Sequence, residues 1–107
     1  MAFSVKTAQD ALEWLSDNAD AIAEAKYEAD EAESIKDRHY HMVYHAAEGR
    51  ANVKRTTALT DREYIINQED FLSASLKWRK LYERRNYCML LIKLETSQNF
   101  NRQMEHA

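Results

Sequence analysis

Apolar side chains return along this chain at helical spacing, one face at a time. From about Thr7 to Ala47, a projection at 100° per residue puts Ala8, Leu12, Leu15, Ala19, Ile22, Ala29, Tyr40, Tyr44 and Ala47 on one stripe. Lys26 and Glu33 interrupt it. From about Thr60 to Met104 there are two stripes. Tyr64, Phe71, Trp78, Tyr82 and Met89 form one row, and Ile65, Leu72, Leu76, Leu90 and Leu94 form a second about 100° round. Residues 87–94 are apolar almost all the way round.

Proline is absent and Gly49 is the single glycine, so nothing breaks either segment, and a fold of short strands and tight turns is excluded. Thr7 suits an N-cap with Asp10 in the first turn. Gly49 falls where a C′ residue in left-handed conformation ends a helix. Thr60-Asp61-Arg62-Glu63 reads as a capping box, with Leu59 and Tyr64 as its hydrophobic staple. The expected fold is therefore all-α, a single domain over residues 1–107. It has a helix over about 7–47, a connection over 48–59 with some helix of its own, and a helix over about 60–104. Two segments of about 60–65 Å joined by a short connection predict an antiparallel, coiled-coil-like helical hairpin.

One partner helix covers only one row of the second segment. The row of Leu72, Leu76, Leu90 and Leu94 then requires a further cover, and a second copy of the hairpin supplies it most directly. We expect a homodimer built as four helices, or a higher oligomer, with those leucines at the interface.

Charge is uneven. Residues 1–48 carry 11 acidic and 4 basic side chains, and residues 49–107 carry 7 acidic and 11 basic ones, for a net charge of −3. Asp10, Glu13, Asp17, Asp20, Glu24, Glu28 and Glu31 project within roughly 80° of arc as a carboxylate ribbon. Pairing Ala47 with Asp61 makes facing positions sum to about 108, which sets Glu24, Glu28 and Glu31 level with Arg84, Lys80 and Lys77. Such surface pairs fix register more than stability. The ribbon alternatively mimics nucleic-acid phosphates. Arg50, Lys54 and Arg55 have no acidic neighbour between Gly49 and Thr60, so the connection is a basic tip able to meet DNA or an acidic partner. Lys77-Trp-Arg-Lys-Leu-Tyr-Glu-Arg-Arg85 also interleaves cations and rings, but Trp78 and Tyr82 fall on the core row.

Candidate chemistry is sparse. His41 and His45 are spaced i, i+4 beside His39, Asp37 and Glu48, a weak metal-ligand arrangement without a second ligand cluster. No phosphate loop, Ser-His-Asp pattern or HExxH motif is present, and Cys88 sits in the apolar run as a structural thiol. We expect a non-enzyme with no cofactor and no small-molecule substrate. The lone cysteine, the lack of an apolar run near 18 residues and the absence of a signal pattern lead us to expect no membrane association and a cytoplasmic location.

Ala11-Leu-Glu-Trp-Leu15, Ala21-Ile-Ala-Glu-Ala-Lys26, the Ala58 to Tyr64 element, Leu91-Ile-Lys-Leu-Glu95 and Asn99-Phe-Asn-Arg102 together resemble a group of small uncharacterised bacteriophage early-region proteins read as helical hairpins. The group's Trp-Arg near the tail is Thr96-Ser97 here. The resemblance implies an accessory role in phage DNA recombination or replication, inside the host cytoplasm, and assigns no catalytic residues. Three readings follow: a helical oligomer whose basic tip binds DNA or a DNA-metabolism protein, an inhibitor of a host nuclease or defence system acting through the acidic ribbon, and a structural or assembly module.

Overall fold

The structure, a computed structural model, describes residues 3–105, among which there are helices and no strand. The elements are α1 (Ala8–Ala46), α2 (Ala51–Thr60) and α3 (Arg62–Glu105). The chain divides into two compact units. Unit 1 is Met1–Ala23 with Arg79–Ala107, and unit 2 is Glu24–Trp78.

Helix α1 starts as the sequence indicates. The Thr7 hydroxyl accepts the Asp10 amide at 3.1 Å, and the Asp10 carboxylate accepts the Lys6 amide at 3.3 Å. The otherwise orphaned first-turn amide of Asp10 is thereby satisfied, and the Lys6 amide just before the cap also gains a partner. Its end differs from expectation. The helix stops at Ala46, and Gly49, with φ +109°, serves the bend into α2 rather than the C′ position.

The capping box at Thr60 is not formed. Thr60 is the last residue of α2, where its hydroxyl donates back to the Thr56 carbonyl at 2.7 Å, as Thr56 and Thr57 do to Asn52 and Val53. A helix that runs to Thr60 has already committed that hydroxyl, so Asp61 caps α3 instead, its Oδ2 accepting the Tyr64 amide at 3.0 Å. The cap shifts by one residue, and the Leu59–Tyr64 staple positions go with it.

The stripes also shift. Along α1 the positions 11, 15, 18, 22, 25, 29, 32, 36, 39 and 43 are all buried or half-buried, and along α3 so are 64, 67, 71, 74, 78, 81, 85, 88, 92 and 95. These are alternating steps of three and four, a seven-residue repeat. A projection at 3.6 residues per turn drifts from that repeat by about 20° per heptad. Tyr64, Phe71 and Trp78 therefore lie on the seam as expected. Leu12, Tyr82 and Met89, assigned to the core rows, are 52%, 44% and 47% exposed. The seam passes instead through Ala11, Leu81 and Cys88.

In unit 1, Val5, Ala11 and Cys88 form the buried cluster, with Phe3, Trp14, Leu15, Leu91 and Ile92 packed against it. The residues before α1 belong to this core. Phe3 meets Trp14 and Tyr87 edge-on at 5.4 and 5.7 Å, the Tyr87 hydroxyl donates to the Val5 carbonyl at 3.1 Å, and the Arg84 guanidinium lies 5.1 Å from the Phe3 ring centre. Beyond Glu95 every described residue of α3 is exposed.

In unit 2, α1 and α3 run antiparallel. Lys26 lies over Trp78, Glu28 pairs with Lys77 at 3.5 Å, Lys36 lies over Phe71 and Tyr40 meets Tyr64. These positions sum to 104–107 rather than 108. Within this unit Lys77 consequently pairs with Glu28 rather than with Glu31, one helical turn from the expected register. The α1 side of the seam in this unit is alanine-rich, with Ala25 and Ala29 buried. Ala58 of α2 is fully buried.

Candidate functional site

Helix α2 presents Asn52, Arg55, Thr56 and Leu59 on one face, at the i, i+3, i+4, i+7 spacing of a helical stripe. With Ala51, that face forms one wall of an open cleft of about 910 Å³ whose other wall is Tyr40, His41, Tyr44 and His45 of α1. The two i, i+4 pairs on α1 are nearly parallel. Tyr40 and Tyr44 are 6.1 Å apart with planes 23° from one another, and His41 and His45 are 6.3 Å apart at 24°. Tyr44 and His45 meet edge-on at 5.5 Å, so the wall shows both ring faces and ring edges.

Positive charge surrounds these rings. Lys54 Nζ is 5.9 Å from the Tyr44 ring centre, a cation–π approach. Arg50 is the N-cap of α2 and makes no side-chain capping bond, and Arg55 is exposed on the cleft wall. The structure thus brings Arg55 together with His41 and His45, places Lys54 against Tyr44, and leaves Arg50 at the mouth of α2.

Two points fix α2. Gly49 makes the bend at its start, and Asp61 is the single residue between it and α3. Asp61 Oδ2 also receives a 2.6 Å hydrogen bond from His39 Nε2. The His39 bond and then the Tyr64 amide hold the Asp61 carboxyl below its ordinary value of 3.8. The carboxylate is therefore an acceptor only, and His39 Nε2 carries the proton. His39 is committed to this junction rather than to the cleft.

Other expected features are not assembled with the cleft. Among the described residues no group of three or more His, Cys, Asp or Glu is placed to hold a metal ion, and the arrangement suggested by His41 and His45 gains no third ligand. In unit 1, Asp10 of the ribbon is used in the α1 cap while Glu13, Asp17 and Asp20 are exposed. In unit 2, Glu28 pairs with Lys77, while Glu24 and Glu31 are exposed. Cys88 is fully buried, and burial pushes its thiol pKa up. The leucines assigned to an interface remain uncovered, Leu72 and Leu76 at 56% and 53%, Leu90 and Leu94 at 55% and 51%. No helix of the described residues is long and apolar enough to cross a membrane.

Sequence reasoning placed Tyr40 and Tyr44 in the core and treated α2 as a connection, so it missed the cleft. The usable signals were the 52/55/56/59 stripe and the paired Tyr-His spacing at 40/41 and 44/45. No protein-family model, curated protein or solved structure matches this chain.

Proposed function

We propose that this chain is a non-enzymatic bacteriophage accessory protein that binds nucleic acid at the α1–α2 cleft and its basic rim, acting as a helical oligomer in phage DNA recombination or replication. The observation carrying this reading is the joining of Arg55 to paired tyrosine and histidine rings, with Lys54 and Arg50 beside them. Cations bind phosphates and rings bind base faces, which is the composition of a nucleic-acid surface. The half-exposed leucines on α3 support self-association, since they offer apolar area that a second copy can cover.

The test is fluorescence anisotropy with labelled DNA at 50 and 200 mM salt. Three phosphate contacts on a single strand give a salt slope of about −2, hence an affinity loss of roughly 20-fold over that range. The triple variant Arg50→Ala, Lys54→Ala, Arg55→Ala removes most of the binding and flattens the slope. A lack of binding at 50 mM salt, or a triple variant that binds as the wild type does, refutes the proposal.

A further inference from the structure

Resting on the reading of the cleft as a nucleic-acid site, we infer that its ligand is an unpaired nucleobase carrying a phosphate, and not duplex DNA. Arg55 and Asn52 stand on one wall and the ring pairs Tyr40/Tyr44 and His41/His45 on the other, across a volume of about 910 Å³. That is ample for a nucleotide, since small-ligand sites span roughly 300–1,000 Å³. His41 and His45 are exposed and nearly parallel, so the pair offers accessible imidazole surface to a planar partner. A duplex hides its base faces in the stack and shows a protein only phosphates and base edges. Against a duplex the ring wall contributes little, and three cations are a small electrostatic footprint. An unpaired base uses both walls at once: its face stacks on the rings and its phosphate meets Arg55. The source of such a group is a single strand or a free nucleotide.

The experiment measures anisotropy of labelled dT12, a twelve-residue abasic strand of equal charge, and a twelve-base-pair hairpin duplex, with dTMP as competitor. The wild type binds dT12 at least about ten-fold more tightly than either the abasic strand or the duplex. The double variant His41→Ala, His45→Ala alters two exposed side chains, and circular dichroism confirms its helix content. It loses that preference and keeps the abasic affinity. Displacement of dT12 by millimolar dTMP assigns the site to a free nucleotide, and failure to displace assigns it to a strand. Equal binding of dT12 and the abasic strand, equal binding of the duplex, or a double variant that still prefers dT12 overturns the inference while leaving phosphate binding intact. Absence of all three complexes overturns the parent reading as well.

Discussion

Truncating Leu90 to alanine tests whether the uncovered face of α3 meets a second copy. Leu72, Leu76, Leu90 and Leu94 are 51–56% exposed, so each retains about half of its burial free energy to gain. Full burial of a leucine is worth about 1.5–3 kcal/mol, leaving about 0.8–1.5 kcal/mol per side chain. Four such residues from each of two copies give roughly 6–12 kcal/mol, against an association cost of about 4–15 kcal/mol. The four leucines therefore bring a two-fold pair close to balance. Leu90→Ala removes its contribution twice in a symmetric pair, about 1.6–3 kcal/mol, which weakens association about 15- to 150-fold. Because Leu90 already faces water in the single chain and alanine is a strong helix former, the variant's helix content in circular dichroism is unchanged. Sedimentation velocity over 1–200 μM reads the result against the 12.6 kDa mass of one chain. A wild type that sediments as one chain throughout, or a Leu90→Ala protein with the wild-type profile, refutes the reasoning.

Three further outcomes are expected. Gly49→Ala strains a backbone at φ +109° without a clash, since an added Cβ lies 3.4 Å from Val53; the cost is about 1–2 kcal/mol, read as a midpoint shift in urea at unchanged slope. The Asp61 carboxyl has a folded pKa below its unfolded 3.8, so its stabilisation is complete above that value and is lost as pH falls through the folded one. Asp61→Asn keeps the cap and loses this dependence, so thermal melts between pH 2 and 6 fall less steeply for the variant than for the wild type. Cys88, fully buried with a raised thiol pKa, reacts with a disulfide reagent at the rate of chain opening and not at the rate of a free thiol; immediate labelling of the native protein contradicts its placement.

Helix identity was legible because no proline and one glycine leave long uninterrupted segments, and Thr7 and Gly49 mark real boundaries. The phase of the buried faces was not. Over four heptads, between Tyr64 and Ile92, the difference between 3.5 and 3.6 residues per turn accumulates to roughly 80°, enough to exchange Cys88 for Met89 at the seam. The Asp61 cap was obscured by a neighbour, Thr60, equally suited to capping, and the choice was made by where α2 ends. The Phe3–Val5 segment lacks any periodicity that announces packing, and its place in the core depends on Trp14 and Tyr87, distant in sequence. Basic residues at 50, 54 and 55 were visible as charge alone; the meeting of Lys54 with Tyr44 and of Arg55 with the histidines required the turn at Gly49.

The oxygen Asp61 Oδ2 has two obligations, to the Tyr64 amide and to His39. Through that one oxygen the start of α3 and the C-terminal part of α1 share one latch. Since α2 is tethered on one side by that latch and on the other by a lone glycine, the separation between the cleft walls is a mechanical property of the junction. The start of α3, the end of α1 and one wall of the cleft are thus all held through a single carboxylate.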